Sequence, residues 1–499
     1  MLQNIDFLKI FDLFKYDSHN PLFFTSFLFV LFFLGLLIIY RFFLTRKNPR
    51  IILLLIFSFF FYYKVSGLLF VVLIYLSLVN YFSAIWIENI SKQRVKRLVF
   101  ITAIILNLLP LFYFKYTDFF ISIINNLASK DFDLIYLIYP IGISFFTFKS
   151  LSYLFDVYLE KIEAEKNLLD LTLFISFFAN SLAGPIDRAG EFLPQLKKDV
   201  SISKAEIGLA MFLIISGLFK KVVIADYISL NFVDRVFDSP LRFTGLQNLF
   251  AVYGYTLQIY CDFSGYSDIA IGISLLLGLR LMDNFNSPYQ SKSIVEFWRR
   301  WHISLSKWLL DYLFTPLQLK FRYLRKYANV LAILITFLIC GFWHGAAWTF
   351  IFWGLLHGVY LSCSVLFKPQ RNFVVNKLKL KGSKVLDFTR IVFTFHLVAI
   401  SWVFFRAADF RTALNVFDQI FNFFHGEIFL DFVSSFKFVV ILMGVGYFFH
   451  FLPKSYEIKV QNLLSKMPSV VLALILAVFI WLAAQVRSAD LQPFIYFKF

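Results

Sequence analysis

The chain has 499 residues and a formal net charge of +17; it is 60% hydrophobic, 16% charged and contains 69 phenylalanines. Soluble domains carry roughly 25% charged residues, so this composition excludes an ordinary water-soluble protein and points to lipid. The positive residues sit in short loops between apolar runs, where they read as topology signals rather than as a nucleic-acid surface.

The first twenty residues lack the basic start and apolar core of a secretory signal. Phe7, Ile10, Phe11 and Phe14 fall at helical spacing, with Asp6, Lys9 and Asp12 on a polar stripe. That pattern predicts an interfacial helix over residues 1–20, with a polar leader as the alternative. Pro21–Tyr40 then runs without a charge, and about 20 apolar residues cross the hydrocarbon core. Val65–Ile87, Leu98–Phe114, Leu331–Phe352 and Val470–Val486 read the same way. Residues 21–499 are therefore expected to form a single membrane domain of roughly ten to twelve hydrophobic segments.

Basic clusters mark the loops. Arg41, Arg46, Lys47 and Arg50 form the first, and Lys92, Arg94, Lys96 and Arg97 the second. Lys368, Arg371, Lys377, Lys379, Lys381 and Lys384 form another, and Lys454, Lys459 and Lys466 the last. Positive loops stay in the cytoplasm, which places both chain ends outside. Cys261, Cys340 and Cys363 share no metal-ligand or disulfide-framework spacing.

Between Gly254 and Lys307 the hydropathy is broken by Asp262, Asp268, Arg280, Asp283, Glu296, Arg299, Arg300 and His302. A charge at the bilayer centre costs about 2.5–3.5 kcal/mol on insertion scales. These groups are therefore expected to line a polar cavity or an interface, where irregular backbone is tolerated. Read as one helix, residues 296–308 place Trp298, Trp301, Leu305 and Trp308 on a single stripe and let Glu296 pair with Arg300. His302 on such a helix is either functional or incidental to an interfacial anchor.

His344 lies in Gly341-Phe-Trp-His-Gly-Ala-Ala-Trp348, inside apolar sequence, and an ionisable group at membrane depth is a functional hypothesis by default. Gly345, Ala346 and Ala347 either leave space beside its ring for a substrate or let another helix pack closely. Imidazole suits general-base work near neutral pH. The remaining histidines read as solvated (His19, His425) or as packed structural groups (His357, His396, His450). No nucleophile elbow, His-Glu-x-x-His pair, phosphate-binding loop or zinc-ligand set is present in the sequence.

The chain resembles the membrane-bound O-acyltransferase family, and within it the bacterial alginate O-acetyltransferase branch. The resemblance rests on an ordered series of motifs. These are Tyr139-Pro-Ile-Gly-Ile-Ser-Phe-Phe-Thr-Phe148, Leu151-Ser-Tyr-Leu-Phe-Asp-Val-Tyr158 and Ala183-Gly-Pro-Ile-Asp-Arg188. They continue with Tyr260-Cys-Asp-Phe-Ser-Gly-Tyr-Ser-Asp268, Asn284-Phe-Asn-Ser-Pro-Tyr289, Phe297-Trp-Arg-Arg-Trp-His-Ile-Ser-Leu-Ser306 and Trp343-His-Gly-Ala-Ala-Trp348. The resemblance implies an all-α bundle of transmembrane and re-entrant helices around a tunnel. Its core would cover about residues 100–365, with further transmembrane helices over about 387–487.

It also implies transfer of an acetyl group from a cytoplasmic thioester toward an exported polysaccharide or cell-wall glycan, at a bacterial inner membrane. The donor would be acetyl-CoA or an acyl-carrier thioester, with no permanently bound cofactor and no metal. The partner would be a periplasmic esterase-like acetyltransferase; no nucleic acid is involved. His344 corresponds to the family's catalytic histidine and His302 to its second histidine. Trp343, Asp262, Asn286, Arg299, Arg300, Ser306 and Trp348 are the expected tunnel or support residues. On this reading His344 takes the proton of an attacking hydroxyl, while His302 or a backbone amide steadies the thioester carbonyl. The stretch between Pro316 and Asn329, Leu-Gln-Leu-Lys-Phe-Arg-Tyr-Leu-Arg-Lys, departs from the Gly-rich loop of alginate-type relatives. Two alternatives remain: D-alanyl or longer-chain transfer to another polymer, lipid or protein, and a transporter or channel using Asp262, Asp268, Arg280 and His302.

Overall fold

The computed structural model describes residues 12–18, 20–486 and 493–497, and among these every regular element is helical. Phe7, Ile10 and Phe11 of the expected interfacial helix, and His19, lie outside the described residues. Among the described residues, six helical stretches are long and apolar enough to cross a membrane: Lys47–Asn89, Gln93–Ala128, Lys204–Asp238, Lys326–His344, Trp348–Leu366 and Lys384–Arg406. The pair Gly426–Ser435 and Lys437–Phe451, bent by 94°, adds a seventh if it is one broken span. The chain is a multi-pass membrane protein.

Several expected spans are shorter than their apolar sequence. Pro21–Tyr40 yields a helix only over Phe27–Tyr40. Ser26 caps its start, donating its hydroxyl to the Phe23 carbonyl at 2.8 Å and accepting the Phe29 N–H at 3.2 Å. The run Val65–Ile87 is divided at Gly67, whose φ of +59° terminates Lys47–Ser66 before Val71–Asn89 begins. In the last block the expected run Val470–Val486 is helical throughout, within Ser469–Val486.

The contacts fall into two compact units: Met1–Ser203 with Ile273–Leu281, and Lys204–Gly272 with Met282–Phe499. In the first unit, two clusters of polar side chains that a membrane interior would penalise are locally satisfied. Arg50 donates to the carbonyls of Leu44, Leu196 and Lys198, each at 2.8 Å. Buried Lys149 donates to Asn180 Oδ1 at 2.7 Å, and Asn180 donates to Asp187 at 2.6 Å. Gly142, at φ +82°, opens the motif helix Ile143–Tyr158 where a Cβ would run into the Ser181 and Leu182 backbone. In the same unit Phe14, the one described member of the expected interfacial stripe, rests on Phe32 and Phe60.

The second unit contains both histidines of interest. Its span Lys204–Asp238 becomes π-helical over Phe219–Asp226, presenting Lys220 and Lys221 to the long helix Gly245–Leu276. Lys220 pairs with Asp268 at 2.6 Å, and Lys221 pairs with Asp262 and, at 2.7 Å, with Asp226. Asp268 and Asp262, two of the residues expected to line a polar cavity or an interface, are therefore each neutralised by a lysine from a neighbouring span. Removing one partner of such a buried pair leaves an uncompensated charge.

Candidate active site

The segment around His302 is not one helix. Ile294–Arg300 and Ile303–Leu309 are separate, and His302 between them has φ 41° and ψ 57°, in the left-handed region. A non-glycine residue holds that conformation only where its surroundings impose it. Here the preceding loop clasps the break from both sides: the Asn286 N–H donates to the Arg300 carbonyl at 2.9 Å, and the Ile303 N–H to the Asn284 carbonyl at 2.9 Å. Ser293 caps the first short helix by accepting the Glu296 N–H at 3.2 Å, and Glu296 pairs with Arg300 at 2.7 Å. Trp298, Trp301, Leu305 and Trp308 are all buried, so the aromatic stripe is core rather than an interfacial anchor.

His302 itself is fully buried. Its Nδ1 lies 3.0 Å from Asn284 Oδ1, and Phe263 packs edge-on against the ring at 4.6 Å. Asn284 Oδ1 also accepts the Ser304 N–H at 3.3 Å and the Ser304 hydroxyl at 2.9 Å, while its amide nitrogen donates to Ser267 at 3.1 Å. His302 lies between, not within, the long apolar helices, and burial moves its pKa below the ordinary histidine value.

His344 is held differently. It is the last residue of Lys326–His344, and extended Gly345 turns the chain toward Trp348–Leu366. The two helices cross at Gly341 and Gly354: a Cβ on Gly341 would meet the Phe350 carbonyl, and one on Gly354 the Phe337 carbonyl. A Cβ on Gly345 would run into the Phe350 ring, so this glycine serves close packing. The His344 ring sits edge-on to Trp343 at 4.8 Å, Trp353 at 4.9 Å and Phe405 at 5.3 Å. Trp343, 4% exposed, also approaches His302 at 6.3 Å, so one indole stands beside both imidazoles.

Behind this cage a saturated polar chain fixes the wall. The Trp298 indole donates to His357 Nδ1 at 3.2 Å, so Nε2–H donates to Ser401 at 2.8 Å and Ser401 to the Val398 carbonyl at 2.7 Å. His450 similarly accepts the Tyr289 N–H at 3.1 Å and, through its carbonyl, the Gln290 side chain at 2.7 Å. His396 hydrogen-bonds Tyr253 and the Val392 carbonyl. Exposed His425 pairs with Glu427.

The membrane-bound O-acyltransferase family profile matches residues 52–379, a stretch that contains Asn284, His302 and His344. The chain belongs to the membrane-bound O-acyltransferase family. It is 39% identical over 364 residues to a peptidoglycan O-acetyltransferase of Helicobacter pylori, covering 68% of this chain and 67% of that protein. It is 39% identical over 338 residues to a probable alginate O-acetylase of Pseudomonas aeruginosa, covering 66% and 62%. A teichoic acid D-alanyltransferase of Bacillus subtilis is 30% identical over 323 residues, covering 63% of this chain and 79% of that protein. The matched stretch thus spans about two thirds of the first two relatives' length.

Within this O-acyltransferase framework the expected residues separate. Trp343 joins the two histidines. Ser306 supports the helix break, donating to the Trp301 carbonyl at 3.1 Å, and Arg300 serves in the pair with Glu296. Asp262 contacts neither histidine; it pairs with Lys221 and accepts the Ile495 N–H at 2.8 Å, anchoring a segment whose Phe494 packs on Phe263 at 5.4 Å. Arg299 and Asn286 are exposed, and Trp348 is 58% exposed. Asn284, Ser304, Phe263, Trp353 and Phe405 were absent from the sequence expectation. Asn284 carried a signal, as the first residue of the Asn284–Tyr289 motif.

Proposed function

We propose that this O-acyltransferase moves an acetyl group from a cytoplasmic thioester donor, acetyl-CoA, toward an exported polysaccharide or cell-wall glycan. The setting is a bacterial inner membrane, with a periplasmic esterase-like partner as the carrier of the group outside. The observation that carries the reading is the pair of buried imidazoles either side of Trp343 in a chain 39% identical to named O-acetyltransferases. The chemistry asked of the pair is limited. A hydroxyl oxygen bonds to the thioester carbonyl carbon and gives its proton to an imidazole nitrogen. The carbon–sulfur bond then breaks, and the departing thiolate takes that proton. The surrounding rings keep water, a competing nucleophile, away from the thioester.

Purified protein offered labelled acetyl-CoA with peptidoglycan strands or alginate oligosaccharide, in the presence of a membrane-free periplasmic extract, is expected to label the glycan. His344→Ala is expected to abolish labelling while membrane insertion and melting behaviour remain; unchanged labelling would overturn the reading. The 30% identity to a D-alanyltransferase supports a second donor, a D-alanyl thioester on a carrier protein, and offering that donor in parallel separates the two.

A further inference from the structure

We infer that Asn284 is a positioning residue that holds His302 as its Nδ1–H tautomer, so that His302 presents a lone pair at Nε2 and acts as a proton acceptor. This rests on the acyl-transfer reading of the site.

The assignment follows from one unambiguous donor. The Ser304 backbone N–H can only donate, and it points at Asn284 Oδ1. That fixes which end of the amide is oxygen, and the opposite end donates to Ser267 as an amide nitrogen should. The atom 3.0 Å from His302 Nδ1 is therefore an acceptor, so Nδ1 must carry hydrogen. The Ser304 hydroxyl lies 3.4 Å from Nδ1 and 2.9 Å from Asn284 Oδ1. Giving its proton to Nδ1 would leave the Nδ1 lone pair facing the Oδ1 lone pairs at 3.0 Å; giving it to Oδ1 satisfies all three groups.

With Nδ1 protonated, a neutral ring has no proton on Nε2. Burial against Phe263 disfavours the imidazolium. Neutral His302 therefore accepts at Nε2 and cannot donate to a thioester carbonyl. That task falls to another group, which alters the division of labour the family resemblance suggests. The left-handed φ of His302 also gains a purpose. It places Nδ1 and the Ser304 N–H on the same amide oxygen, two residues apart in sequence.

The test uses the full-length protein in detergent with 15N-labelled histidine, the His302 resonances being identified by their loss in His302→Gln. A protonated Nδ1 and an unprotonated Nε2 are expected; a protonated Nε2 overturns the assignment. Kinetics supply a second readout. Asn284→Leu removes the acceptor and is expected to lower kcat roughly 100-fold or more, the scale of one general base, with KM for acetyl-CoA little changed. Asn284→Asp keeps the acceptor and is expected to recover most of the rate. Its carboxylate favours the imidazolium, so the acid limb of the pH profile moves upward. Equal losses in both variants with an unmoved acid limb would make Asn284 merely structural. Should Asn284→Leu fail to fold, the wild-type spectrum and Asn284→Asp decide. A correct tautomer in a protein that transfers no acetyl group would sink the proposed function instead.

Discussion

His302 and His344 flank one indole, Trp343, in different surroundings. His302 sits at a backbone break and is tied by hydrogen bonds through Asn284 to Ser304 and Ser267. His344 ends a regular helix and is held by three aromatic rings, Trp343, Trp353 and Phe405. Hydrogen bonds specify which ring nitrogen carries a proton; aromatic edges specify only where the ring sits. Substitution of the amide beside His302 is therefore expected to change its protonation behaviour, and substitution of a cage ring to change the position of His344 and the stability of the helix pair.

The cage gives the largest way to break this contrast. Trp353 is fully buried, stacks on Trp402 at 5.6 Å and packs edge-on to His344 and Phe405. Trp353→Ala is expected to cost about 3–5 kcal/mol of stability, read as a lower melting temperature in detergent. Acetyl transfer should fall without a shift in the acid limb of the pH profile. A shifted limb with unchanged melting would mean the cage tunes protonation after all. A smaller effect is expected from Gly354→Val, whose Cβ would be driven into the Phe337 carbonyl. Overpacking of this kind costs about 1–3 kcal/mol. Because Gly354 contacts neither imidazole, its loss of activity should follow melting temperature, and activity lost at unchanged melting would contradict a purely packing role.

The sequence made part of this contrast legible. Low charge and long apolar runs announced the membrane, and the motif residues brought attention to His302 and His344. The break at His302 was hidden because neither glycine nor proline marks it. Its left-handed backbone is imposed by Asn284 and Asn286 from a loop that local periodicity does not describe. The sequence expectation favoured Asn286, and the structure brings Asn284 to the ring instead. Phe405 and Ser401 reach the His344 cage and His357 from a helix far along the chain, a proximity set by tertiary packing alone. Asp262 and Asp268 stood out as charges in apolar sequence. Their lysine partners come from a different span, so pairing could not be told from cavity lining.

The smallest predicted effect tests how local the control of His302 is. Glu296 and Arg300 are each about 30% exposed and pair across one turn of the short helix preceding it. Exposed pairs at this spacing contribute only about 0.3–0.5 kcal/mol. The helix retains its Ser293 cap, and the break retains its two backbone clasps, without the pair. Glu296→Gln should therefore leave melting temperature almost unchanged and alter acetyl transfer by less than about two-fold. It should also leave the His302 tautomer as it is, since Asn284 sets that through a separate loop. A changed 15N signature in Glu296→Gln would show that the helix, and not the loop amide, governs His302.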